Sequence, residues 1–429
     1  MKWDRMKWGW GVLAALPMIW TWSGATCAAA AGEPGELERR IDVLSREVEE
    51  MKKLGKGASG VEYGAVQKTR LGGYMEMHYL STQDGDGENL DFHRYVMYVG
   101  HRFNDWIQFH SELEFEHSFI RDRAGEFELE QAYIEFTPKE NFGIRSGVIV
   151  VPMGVINQFH EPPTFHGVER PDVDNRIIPA TWFAAGAGFF GSLTQNLKYQ
   201  VYGINSLQFI AGQVNSTTPT IALGTNGIRD IRQKQFGSES NGNVFDIGIA
   251  GRLDYAVERY PLNLGFSYYG GDAGDKVLDT AGSPKITGLV FDARYKQDRI
   301  DFVGEWAQFD VDDAAKLKTA YGTDQAEELE GWYAQGGYWL LQPGDREGLL
   351  ADAGLAGFVR FEKYDTAKKM PSNSTNTAQN NRDREQWVYG ITFKPVQNLA
   401  VKVDYTSFKD ADGTTIDNDK FNAGIGWQF

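Results

Sequence analysis

The 429-residue sequence predicts an all-β fold: a closed, transmembrane antiparallel β-barrel of sixteen strands with a short coiled coil ahead of it. Three observations carry this. From about residue 69 to the end, apolar residues alternate with polar ones in segments of roughly 9–13 residues, the length a tilted strand needs to cross a bilayer. The joins between these segments alternate between short turns and long polar stretches. The last segment ends on Phe429, on its apolar face. Composition agrees, with aromatics at 13% and no apolar run beyond the N-terminus long enough for a helical span. The net charge of −16 disfavours nucleic acid as a partner.

Residues 1–31 read as a secretory signal peptide. Lys2, Arg5 and Lys7 precede an apolar stretch from Trp8 to Trp22, and Ala28 to Ala31 offer small-residue cleavage positions. Cleavage there removes Cys27, the one cysteine, and with it any disulfide or thiolate metal site. In residues 32–54, Leu37, Ile41, Leu44, Val48 and Met51 recur at spacings of 4, 3, 4 and 3 among charged residues, the seam of a coiled-coil helix. So short a seam is marginal alone and is expected to depend on a larger oligomeric body; an amphipathic helix lying on the protein's own surface is the other reading. Residues 55–68, with Gly55, Gly57 and Gly60, form a flexible linker.

Residues 69–429 form the barrel. In Trp106–Phe119, Ile107, Phe109, Leu113, Phe115 and Phe119 share one face, and Gln108, His110, Glu112, Glu114 and Glu116 the other. Phe245–Tyr255, Leu262–Tyr268, Leu289–Tyr295 and Leu399–Tyr405 repeat the pattern, and 182–205 and 286–309 have the least clear phase. Strands are expected at 70–80, 90–103, 106–119, 126–136, 142–151, 182–191, 195–205, 244–257, 261–270, 286–297, 299–309, 331–341, 353–364, 384–394, 398–408 and 420–429. Short turns fall at 103–105, 137–140, 258–261, 297–298 and 394–397, and long polar stretches at 206–240, 271–285, 310–330, 366–383 and 409–418. Short at one rim and long at the other is how an outer-membrane barrel is built, and open edges in hydrocarbon are not tolerated.

One join is different. Residues 152–181 contain five prolines, which exclude a regular helix or central strand, yet Phe159, Phe165, Val168, Ile177 and Ile178 give the segment something to bury. It is expected to fold into the lumen as a constriction loop, with Glu161, Glu169, Arg170, Asp172, Asp174 and Arg176 at or near the eyelet; a loop capping the rim is the alternative.

Here the sequence resembles a known group, the outer-membrane porins of the phosphate-selective O and P family. The likeness is strongest at Glu130–Phe136, Gly147–Gly154, His160–Pro171 and the pair Val388–Pro395 with Asn398–Tyr405. It implies a sixteen-stranded homotrimer with its third loop folded inward, lying among outer-membrane lipid and lipopolysaccharide, with the N-terminal segment in the periplasm. It also implies that the final strand ending at Phe429 is read by the barrel-assembly machinery. Anion-specific members line the lumen with arginines and a lysine ring. By parity this lumen shows Arg94, Arg102, Arg145, Arg252, Arg294, Arg360 and Lys402, but equally Glu76, Glu112, Glu114, Glu116, Glu135, Asp246, Asp254, Asp292, Glu305, Glu362 and Asp404. The insert has no lysine and more acids than arginines. An anion channel needs net positive potential at its narrowest point, so the reading is a water-filled porin for passive diffusion of small hydrophilic solutes or ions. Phosphate or anion selectivity, or a structural tether through the coiled coil, is the alternative.

No phosphate loop, Gly-x-Ser-x-Gly elbow or His-Glu-x-x-His motif occurs, and no enzyme or cofactor is expected. Without Cys-x-x-Cys-His the chain carries no haem of its own, although it could sheath a multihaem partner. His110 with Glu112 and Glu116, or His160 with His166, are the histidine groupings a metal could use; hydrated pore lining is the plainer reading, and no metal is expected.

Overall fold

The computed structural model describes residues 68–82, 88–117, 126–211, 220–221, 224–231, 247–273, 284–374, 382–410 and 419–429. The signal peptide, the coiled-coil seam and most of the linker lie outside the described residues. Sixteen strands form the barrel: β1 (Thr69–Thr82), β2 (Asn89–Arg102), β3 (Ile107–Glu116), β4 (Glu126–Lys139), β5 (Phe142–Val150), β6 (Phe183–Ser192), β7 (Leu197–Asn205), β8 (Ile247–Ala256), β9 (Leu262–Asp272), β10 (Lys285–Gln297), β11 (Ile300–Val311), β12 (Glu328–Leu341), β13 (Gly354–Lys369), β14 (Asp383–Val396), β15 (Leu399–Asp410) and β16 (Lys420–Gln428). Each pairs antiparallel with its neighbours in sequence, and β16 returns to β1 in a register that sets Tyr74 opposite Gln428 and Thr82 opposite Lys420.

The terminal residue takes part in closure. Phe429 and Gly73 exchange backbone hydrogen bonds of 2.9 and 3.0 Å, and the Phe429 ring stacks on Tyr95. A Cβ on Gly73 would lie 2.2 Å from the Val96 carbonyl oxygen, so only glycine fits at this seam.

Alternation decides which side chains face where. Ile249, Phe291 and Ile391 point outward and are at least half exposed, whereas Arg252, Asp292 and Thr392 on the same strands point inward and are buried. An apolar outer surface around a charged interior suits a barrel whose solvent outside is hydrocarbon.

The joins at one rim are short: 103–106, 140–141, 193–196, 257–261, 298–299 and 397–398. Two turns are tighter than the sequence suggests. β4 continues to Lys139, opposite Phe142, and β14 to Val396, opposite Leu399. Pro138 and Pro395 sit where the ladder shifts register, which is where a residue without an N–H is tolerated. The join 342–353 breaks the alternation, being long although it lies at the short-turn rim. At the opposite rim, the stretch read as polar loop at 310–330 contains the helix α1 (Ala314–Tyr321), stopped by Gly322 at φ +75° with its N–H on the Lys318 carbonyl.

The buried apolar core lies inside the barrel, toward the long-loop rim. Tyr202, Ile204, Ala250, Tyr269, Ile286, Val290, Ala307, Phe309, Leu329, Tyr333 and Tyr364 project inward and pack on Val151, Met153, Val173, Ile177 and Ile178 of the 152–181 insert. Leu207, Phe209, Ile228, Ile231 and Leu317 also belong to it. Part of the stretch 206–240, read from sequence as a polar rim loop, therefore folds inward. Along these strands the interior is a packed core, not the open aqueous lumen that the sequence suggested.

Candidate channel interior

The insert leaves β5 and returns to β6 through a neck tied by Asn157. Its Nδ2 donates to the Val151 and Trp182 carbonyls at 2.7 and 3.0 Å, and its Oδ1 accepts the Trp182 N–H at 2.6 Å. Gly154 turns the chain at φ +72°, where a Cβ would lie 2.8 Å from Glu305 Oε2. Beyond the neck the segment touches strands around most of the circumference.

A proline-rich segment has few hydrogen bonds of its own, and a buried backbone group left unpaired costs about 1–3 kcal/mol. The charged inner wall supplies the partners. Glu305 accepts the Val155 N–H at 2.7 Å, Asp404 the Val168 N–H at 2.6 Å, and Glu362 the Asp172 N–H at 2.6 Å. In the opposite sense, Arg94 donates to the His160 carbonyl at 2.9 Å, Lys402 to Gly167 at 2.7 Å, Lys394 to Pro163 at 2.5 Å and Arg360 to Glu169 at 3.4 Å. Wall acids hold insert N–H groups, and wall bases hold insert carbonyls. These contacts run from the insert to inward-facing side chains of the wall.

The wall cations are also paired with wall anions. Arg94 lies 2.5 Å from Glu76 and 3.4 Å from Glu114; Arg145 lies 3.0 Å from Glu135 and over the Tyr133 and Phe190 rings. Arg252 bridges Asp254 and Asp292 at 2.8 and 2.7 Å, Arg294 joins Asp254 at 2.9 Å, and Arg360 lies 2.6 Å from Glu362. Arg102 and Glu116 are part-buried near opposite ends of β2 and β3. Asp246 lies outside the described residues.

The six charged insert residues do not share one environment. Glu169 is 56% exposed at its side chain and bonded to His78 at 2.9 Å; Arg176 is 39% exposed and 3.7 Å from Asp172. Glu161 accepts from the Tyr98 hydroxyl at 3.5 Å, Arg170 donates to Thr181 at 2.8 Å, and Asp172 accepts from the Tyr364 hydroxyl at 2.8 Å. Asp174 stands apart from this set. It is fully buried against Glu305, and burial, then that facing carboxylate, push its carboxyl well above the ordinary range. Val173, Ile177 and Ile178 beside it pack into the apolar core.

Sequence reasoning missed Glu130. Apolar outward positions in β4 are odd at Phe127 and Leu129 but even at Ile134 and Phe136. The parity breaks because the ladder slips between Glu112 and Leu113, with Glu112 opposite Gln131 and Leu113 opposite Leu129. The extra residue, Glu130, is thrown inward and buried. As a result, the histidine grouping the structure brings together is His160 with Glu112 and Glu130. His110, Glu112 and Glu116 do not gather into one among the described residues, and His166 lies elsewhere, against Asp301 and Phe358. A second group, Asp91, His93 and His117, lies toward the long-loop rim.

The sequence matches no protein-family profile. A protein of Aquifex aeolicus strain VF5, itself described as uncharacterized, is 29% identical over 390 residues, covering 88% of this chain and 83% of its own. Among solved structures, the outer-membrane channel DcaP of Acinetobacter baumannii superposes with a TM-score of 0.52 at 10% identity, over 84% of this chain and 97% of that one. OmpF of Salmonella typhi gives 0.52 at 12%, over 84% and 97%. An anion-selective porin from Comamonas acidovorans gives 0.51 at 12%, over 84% and 99%. At these identities the likeness is one of fold, and the fold is that of outer-membrane porins in general.

Proposed function

We propose that this protein is an outer-membrane porin that lets small hydrophilic solutes or ions diffuse passively through a path narrowed by residues 152–181, with a preference for cations. The carrying observation is the use made of the wall cations. Arg94, Arg360, Lys394 and Lys402 donate to insert carbonyls, and Arg94, Arg145, Arg252, Arg294 and Arg360 are matched by wall carboxylates. An anion-selective pore needs donors turned toward the solute; these are turned toward the protein. Glu169 and Arg176 are the insert charges most exposed to water, and Glu161, Arg170 and Asp172 border them.

The reading extends to assembly. Residues 1–31 direct export, residues 32–54 form a periplasmic coiled coil, and the homotrimer brings three such helices together. Membership of the phosphate-selective O and P group belongs to the same proposal, held apart from phosphate selectivity itself.

Purified protein in planar bilayers is the test. Under a KCl gradient the reversal potential should carry the sign of cation preference, and millimolar phosphate should leave the KCl current unsaturated. Absence of conductance would remove the channel reading; reversal of anion sign, or block by micromolar phosphate, would restore anion selectivity.

A further inference from the structure

Three side chains from separate parts of the fold converge under the first leg of the insert: Glu112 of β3, Glu130 at the β4 bulge, and His160. They are 2%, 1% and 3% exposed. His160 Nε2 stands 3.6 Å from Glu112 Oε1 and 3.6 Å from Glu130 Oε2, and none of these three buried atoms has a hydrogen-bond partner. The remaining atoms of the group are fixed. His160 Nδ1 lies 3.1 Å from the Asn157 carbonyl, a contact in which Nδ1 carries the proton, so that in the neutral ring Nε2 is the nitrogen left to bind a cation. Glu112 Oε2 accepts from the Gln131 amide, and Glu130 neighbours Glu114, which lies 3.4 Å from Arg94.

The spacing distinguishes two ways of filling this gap. A protonated imidazole shared between two carboxylates would close to about 2.7–2.9 Å, the length of a charge-assisted N–H···O bond. Two ligand atoms each about 2.0–2.1 Å from a tetrahedral ion sit about 3.4 Å apart. The observed 3.6 Å is longer than the first arrangement requires and leaves room for the second. One imidazole nitrogen and two carboxylate oxygens are a zinc-type donor set with a fourth position left over. Calcium and magnesium would ask for about six oxygens. The Asn157 carbonyl behind His160 and the Gln131 amide behind Glu112 are the outer partners that orient such ligands.

We propose that Glu112, Glu130 and His160 form a buried site for a divalent transition cation of the zinc class, which clamps the insert to the β3–β4 wall. The site is separate from Asp91, His93 and His117, whose ligand atoms already bond one another at 3.1 and 2.8 Å.

The test uses full-length protein carrying Asp91→Asn and His117→Ala, so that the rim group does not contribute. After treatment with a chelator it is titrated with Zn²⁺ in competition with a chromophoric chelator, with Mg²⁺ in parallel. One zinc per chain is expected, with no comparable magnesium binding. Glu130→Gln keeps the side-chain shape and removes a ligand charge; it and His160→Ala should each weaken zinc by about tenfold or more. Heat-modifiable electrophoretic migration reports whether each variant is a folded barrel. X-ray absorption of the zinc-loaded protein should show nitrogen and oxygen neighbours and no sulfur. Sub-stoichiometric zinc in the parent, or zinc affinity unchanged in folded Glu130→Gln, would overturn the site.

Discussion

Replacing Arg252 by methionine asks whether the wall beneath the insert is dry. The Arg252 side chain is 1% exposed, bridges Asp254 and Asp292, and donates to Ser267 at 3.0 Å. Asp292 is 0% exposed at its side chain and keeps only Arg294 at 3.4 Å once Arg252 is gone. Removing one partner of a buried ion pair typically costs about 3–5 kcal/mol. With Arg294 still in place, the deficit should be about 3 kcal/mol. Adding Asp292→Asn removes the stranded charge and should bring the deficit down to about 1 kcal/mol. Reversible urea unfolding from lipid vesicles, followed by tryptophan fluorescence, measures both deficits. A deficit below about 1 kcal/mol for the single variant would mean that water reaches Asp292 and that the insert does not seal this wall.

Other perturbations probe the remaining levels. Phe115→Arg places a charge on the outer face and should cost about 2–4 kcal/mol near mid-membrane; spin labels at 114 and 115 should differ in water access, and equal access would refute the assignment of faces. Neutralising Arg170 and Arg176 together should move the reversal potential further toward cations. The move should grow at low salt as the Debye length lengthens from about 8 Å toward 30 Å; an unmoved potential would take both residues out of the path. Ile41→Asp with Val48→Asp should weaken the oligomer while leaving the barrel folded, because carboxylates would meet in an apolar seam; a purely monomeric parent by native mass measurement would refute the trimer.

The strands were legible because hydrocarbon outside and charge inside impose a strict two-residue period, which β3 and β16 display without interruption. Where the interior is itself apolar, the period blurs. Tyr202 and Ile204 face inward while Val201 faces out, and Val290 and Phe309 face inward between outward Phe291 and Trp306. These strands read as apolar on both faces, which explains the unclear phase at 182–205 and 286–309. The same doubling pointed to loops packed inside the barrel, a signal easily mistaken for weak alternation. Glu130 was hidden for a related reason: one bulge changes parity, and a residue counted as outward becomes a buried carboxylate. The insert was recognisable from its prolines and apolar residues. Which of its charges meet water was not, because that depends on partners such as Glu305, 131 positions from Asp174 in the chain.

The lumen charges also change meaning between sequence and structure. Read along the strands, Arg94, Arg252, Arg360 and Lys402 look like a lining offered to passing anions. In three dimensions each has fixed protein partners, and three of them hold the backbone of the insert. A long irregular segment can be buried only if its backbone groups find partners, and a wall alternating acids and bases supplies donors and acceptors together. Charge that selectivity would leave facing water is thereby committed to holding a loop in place. The balance of the lumen is then set by the charges left in water, of which Glu169, exposed although paired with His78, is the clearest, so a count of arginines along the wall does not by itself give the selectivity.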